Sequence, residues 1–154
     1  MKKNVKIFIV GHGNFGKHIT KVLEKKFSDV FYISSEDEAI KALNQLPNII
    51  ILDENVRFTK GVEIRHYSDK LENHLIHMIY LTRKNKLKNA VRACKLGAID
   101  FIIKDSYAAV GSVMAINRIV AITKDFSINF DRVKYRKSSS FKPLPLLLMK
   151  IMRI

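Results

Sequence analysis

Apolar residues gather in five short runs: VKIFIV (5–10), DVFYIS (29–34), NIIILD (48–53), IHMIYL (76–81) and DFIIK (100–104). Each is rich in β-branched or aromatic side chains, and each predicts a buried strand. The segments between them carry helical spacing. Phe15, Ile19, Val22 and Leu23 recur at i, i+4, i+7 and i+8, and Ala39, Ile40 and Leu43 mark a short helix ending before Pro47. Leu87, Ala90, Val91 and Cys94 form a stripe closed by Gly97, and Val110, Val113, Met114 and Asn117 continue the pattern after Ser106, a predicted N-cap. Residues 61–72 make the weakest helical segment because their apolar positions are sparse. Strand–helix alternation repeated five times predicts an α/β fold with a parallel sheet and helices on both faces. In such sheets the carboxyl ends of the strands carry the chemistry. Here those ends hold Gly11 and His12, Ser34, Asp53, Thr82 and Lys104.

The pattern lapses after Thr123, so the expected division is a domain over 1–123 and a basic tail over 124–154. The tail holds eight Lys/Arg against two Asp, a net +6 of the chain's +14. A net charge of that size makes nucleic acid one expected class of partner. No apolar run reaches the roughly 18 residues of a membrane span. Cys94 is the only cysteine, which excludes a disulfide framework or a cysteine-based metal site and fits a cytoplasmic location.

Two constellations compete for the function. Gly11, Gly13 and Gly16 spell G-x-G-x-x-G directly after the first apolar run, the fingerprint of a dinucleotide turn. Such a turn needs an acid at the end of the second strand for the ribose, and Ser34 stands there, with Glu36 two residues on. The other constellation is Asp53, Thr82 and Lys104, which the topology brings to one end of the sheet. A carboxylate there can attack a phosphoryl donor, and a hydroxyl and an ammonium can hold the product's oxygens. Lys104 can equally neutralise Asp53 as an ion pair, and His12 is expected to donate to Asp53.

Residues 4–123 resemble the receiver domain of two-component response regulators. IIILDENVRFTKG resembles the phospho-acceptor segment, with Asp53 at the acceptor position and Gly61 eight residues on. YLT places Thr82 at the switch hydroxyl, and AVRACKLGAIDFIIKD supplies Gly97-Ala98, Phe101 at the switching aromatic, and Lys104. The resemblance implies a CheY-like (βα)5 sandwich with flavodoxin-like strand order 2-1-3-4-5. It also implies a non-enzymatic signalling module whose partners are a histidine kinase or an output protein. The family's acidic pair after the first strand, which holds Mg²⁺, reads Gly11-His12 here, so no cofactor is expected. The family's prolines after the acceptor and the lysine read Arg57 and Asp105, and a trans path is expected at Asp105.

The last helix, from Tyr107 to Thr123, has Arg118 as its only charge. One stripe (Val110, Val113, Met114, Val120) is expected to face the sheet. A second (Ala115, Ile116, Ile119, Ile122) is then left for a partner, a second copy or the tail. Three readings follow: a degenerate receiver acting by protein contact with weak or absent Mg²⁺-dependent phosphorylation at Asp53, a phospho-receiver with an unusual cation site, and a Rossmann-like nucleotide-binding regulatory domain using Gly11, Gly13 and Gly16.

Overall fold

The computed structural model describes residues 2–56, 76–83, 87–95 and 97–130, the side chains of Arg92, Cys94 and 124–130 excepted. The expectations for Arg57, Gly61, the 61–72 segment, the side chain of Cys94 and residues 131–154 lie outside these residues.

Strands β1 (Lys3–Val10), β2 (Phe27–Ile33), β3 (Ile49–Asp53), β4 (His77–Thr82) and β5 (Asp100–Ile103) form one sheet in the order β2-β1-β3-β4-β5. Every pairing is parallel. This is the strand order expected from the sequence. Helices α1 (Asn14–Leu23), α2 (Glu36–Ala42), α3 (Leu87–Lys95) and α4 (Ala108–Phe130) flank it. Ser35 caps α2 by accepting from the Glu38 N–H, and a 3-10 turn over Leu43–Gln45 closes that helix before Pro47.

Side chains alternate across a strand, so the sheet sorts its own residues into two cores. Ile7, Ile9, Ile49, Ile51, Ile79, Leu81 and Ile102 pack with Ile19 and Leu23 of α1 and Ile116 and Ile119 of α4. Phe8, Val10, Ile50, Leu52, Met78 and Tyr80 pack on the other face with Ala39 of α2 and Ala93 of α3.

Two helices are rotated from the expected orientation. On α4, Ala115, Ile116 and Ile119 are buried against the sheet, whereas Val110 and Met114 are 58% and 55% exposed. Ile116 and Ile119 therefore belong to the protein's own core and form no partner face; Ile122 is half-buried on the same helix. The small residues decide the orientation. Ala108, Ser112, Ala115, Ile116 and Ile119 make one buried line, and Ser112 is accommodated there by donating to the Ala108 carbonyl at 2.8 Å. Small side chains let a helix approach a sheet closely, and apolarity alone does not reveal this when both stripes are apolar. On α3, Ala90 and Ala93 face the sheet, leaving Leu87 and Val91 68% and 41% exposed. Ahead of α4, the Asp105 carboxylate accepts from the Tyr107 N–H at 2.8 Å in an Asx turn that leads into the helix, and Ser106 precedes the helix by two residues instead of sitting at its N-cap. The helix also runs seven residues beyond Thr123, to Phe130.

Candidate functional site

Strand register builds one end of the sheet. Val10 pairs with Leu52, Asp53 with Leu81, and Thr82 with Ile103, so Gly11, Asp53, Thr82 and Lys104 end neighbouring strands at similar height. The ladder continues past the strands: Glu54 N–H donates to Leu81 O at 2.8 Å and Lys104 N–H to Thr82 O at 2.7 Å.

Asp53 shares the parity of Ile49 and Ile51 and lies on the α1/α4 side. It is 2% exposed. Lys104 Nζ donates to its Oδ1 at 2.5 Å, the two side chains being 6% and 3% exposed. The backbone N–H of Asn55 donates to the same oxygen at 3.0 Å. Phe15 of α1 lies over the ammonium, with 5.9 Å between Nζ and the ring centroid. The aromatic face therefore covers the ion pair from the α1 side and adds a cation–π attraction. Gly11 lies so close that a β-carbon on it would stand 3.0 Å from the Asp53 β-carbon. His12 is exposed, and among the described residues it is not one of the hydrogen-bond partners of Asp53, contrary to the expected donation.

Thr82 has the opposite parity, that of Met78 and Tyr80, and is fully buried on the α2/α3 side. Its hydroxyl donates to Glu54 Oε2 at 2.9 Å and accepts from Asn89 Nδ2 of α3 at 2.9 Å. The other oxygen of Glu54 accepts from the Arg83 backbone N–H at 2.7 Å. Phe101 is half-buried against the apolar cluster of this same face. Asp53 and Lys104 thus meet as expected, while Thr82 is engaged by a second carboxylate, one residue along the chain from Asp53. Sequence reasoning missed Glu54, Asn89 and Phe15. Alternation held the signal for Glu54: an acid following Asp53 must turn toward the opposite face.

The glycine turn is filled from within. The Tyr32 phenol of β2 shares its single proton between Gly11 O at 2.8 Å and Gly13 O at 3.1 Å. Its ring lies against Gly16, where a β-carbon would stand 2.6 Å from Tyr32 Cε2. Gly13 adopts φ +97°, a left-handed-side conformation suited to glycine. Each glycine therefore has a role inside the fold.

No protein-family model and no curated protein matches this chain. Solved structures do match, and several of them are response regulator receiver domains. A response regulator from Desulfuromonas acetoxidans aligns at TM-score 0.65 and 21% identity, over 77% of this chain and 98% of that one. The chemotaxis response regulator CheY4 of Vibrio cholerae aligns at TM-score 0.62 and 16% identity, over 76% and 99%. NtrX from Brucella abortus aligns at TM-score 0.70 and 18% identity, over 98% of this chain and 34% of that longer one. The chain has the CheY-like receiver fold. Among the described residues, no helix is long and apolar enough to cross a membrane.

Proposed function

We propose that this chain is a receiver-type signalling module of the cytoplasm that acts by protein contact and not by turnover, with Mg²⁺-dependent phosphorylation of Asp53 weak or absent. The observation that carries this reading is the buried Asp53–Lys104 pair, covered by Phe15 and flanked by Gly11 where the family has acids. Mg²⁺ requires near-octahedral oxygen ligation, and phosphoryl transfer depends on it to neutralise charge. Gly11 and His12 contribute no carboxylate, and Asp53 Oδ1 already accepts two hydrogen bonds. The residues present do not fit the ion. Intact-mass measurement after incubation with acetyl phosphate and Mg²⁺ tests the reading: the expected product is unmodified protein. Stoichiometric gain of one phosphoryl group on Asp53 overturns it.

The contact surface in this reading is the exposed apolar set on α3 and α4 and just ahead of α4: Leu87, Val91, Tyr107, Val110 and Met114. Histidine kinases, output proteins and a second copy are the partner classes it suits.

A polyanion is a second reading, favoured by α1. Lys17 and Lys21 lie at i and i+4 on α1 and Lys25 follows just past its end, all exposed; α1 itself contains no Asp or Glu, although Glu24 follows it directly. Phosphate contacts of this kind steepen the salt dependence of nucleic-acid binding by about 0.9 in log–log slope per contact. Replacing all three lysines with Gln should flatten the slope for a random-sequence duplex by about 2 to 3. An unchanged slope excludes α1 as the contact.

A further inference from the structure

Two donors at the end of β4 converge on a single carboxylate. The Thr82 hydroxyl and the Arg83 backbone N–H reach Glu54 Oε2 and Oε1 at 2.9 and 2.7 Å. A hydroxyl from buried Thr82 and the next amide, from exposed Arg83, stand side by side and form a fork suited to a two-oxygen anion, and hydrogen bonds to an ionised acceptor are the stronger kind. Asn89 Nδ2 holds the Thr82 oxygen from the far side at 2.9 Å, which orients the hydroxyl proton toward Glu54.

We propose that Thr82 and Arg83 form an oxyanion-binding site whose resident ligand is the chain's own Glu54 carboxylate, so that the end of β4 is held in a liganded state with Asp53 unmodified. The inference rests on the reading of the chain as a receiver-type module. It goes beyond that reading by assigning Glu54 a role and by saying what occupies the switch hydroxyl. Two faces of the sheet divide the work. On the α1/α4 face Lys104 neutralises Asp53, and on the α2/α3 face Glu54 accepts from both the Thr82 hydroxyl and the Arg83 amide. Because Glu54 follows Asp53 directly, strand alternation fixes both carboxylates at once. The ligand is intramolecular, so its effective concentration is high and no external oxyanion competes with it in the native chain. Removing the Glu54 carboxylate leaves both donors in place and opens the site to a small external carboxylate or to phosphate.

The test uses the full chain, wild type and Glu54→Ala, with the Arg83 amide resonance as reporter. Glu54→Ala should shift the Arg83 amide upfield as it loses an ionised acceptor. Sodium acetate should then return it toward the wild-type position along a saturable curve, whereas sodium chloride at equal ionic strength should not. Inorganic phosphate should do the same, and wild type should respond to neither. Glu54→Gln, which keeps the size and one acceptor oxygen, should give an intermediate shift without acetate response, and it stands in if Glu54→Ala fails to fold. An Arg83 amide unmoved in both variants overturns the proposal, as does an acetate response no different from chloride. Phosphorylation of wild-type Asp53 would instead remove the proposed function while leaving the acetate result to decide the Glu54 site, so the two failures are distinguishable.

Discussion

Gly11 lies against Asp53 so closely that a β-carbon on Gly11 would stand 3.0 Å from the Asp53 β-carbon. The two positions where the receiver family carries acids are therefore not equivalent here. Gly11→Asp must push Asp53 or the turn aside and places a second anion beside a buried one. A loss of about 1–3 kcal/mol is expected in chemical denaturation. His12→Asp falls on an exposed position and should change stability by no more than about 0.5 kcal/mol. Of the two, His12→Asp is the variant expected to gain Mg²⁺ affinity, followed through the amides of Asp53 and Asn55.

The ion pair beneath Phe15 yields a double-mutant cycle. Lys104→Met leaves Asp53 buried without its cation and should cost about 3–5 kcal/mol. Adding Asp53→Asn should recover a large part of that loss. Strict additivity of the two single changes would show that the 2.5 Å pair contributes no coupling in solution.

Tyr32 and Gly16 make a second coupled pair. Gly16→Ala brings a methyl group to 2.6 Å from Tyr32 Cε2, so about 1–3 kcal/mol should be lost. Trimming Tyr32 to Leu in the same chain should return part of it. With the turn filled by the phenol, NAD, NADP, FAD and ATP should leave the thermal midpoint unchanged. A concentration-dependent rise with any of them would restore the dinucleotide reading.

The rotation of α4 makes opposite predictions for its two stripes. Ile116→Ala or Ile119→Ala removes buried side chains and should cost about 2–5 kcal/mol. Met114→Ala and Val110→Ala should cost little, and Met114→Glu should weaken self-association or partner binding in sedimentation while the melting temperature holds. Equal losses across both stripes would contradict the burial pattern.

Much of this architecture is legible in the sequence because strands and amphipathic helices announce themselves by period. The five apolar runs placed every strand within two residues of its observed ends, the largest misses being the two residues by which VKIFIV and DVFYIS begin after the starts of β1 and β2. The Asp53–Lys104 pairing followed from topology. Two things were hidden. The facing of α4 depended on Ala108, Ser112 and Ala115, whose smallness matters only once the distance between helix and sheet is known. The engagement of Thr82 depended on the face to which Glu54 turns, and a list of residues at strand ends merges both faces into one site. The glycine fingerprint misled for a related reason. Close helix–strand approach demands glycine whether a pyrophosphate or a tyrosine ring fills the space.

Strand β4 lies between β3 and β5, so the bond from Lys104 to Asp53 spans an intervening strand and joins residues 51 apart in the chain. Closing so long a segment has to follow the docking of β4 and β5, which places the pair late in assembly. Interactions absent from the folding transition state govern how fast a protein comes apart, not how fast it forms. The ion pair at the candidate site is thus also a kinetic clasp. Its removal should accelerate unfolding, leave the folding limb of the chevron nearly unchanged, and shorten the lifetime of the native chain more than it slows its birth.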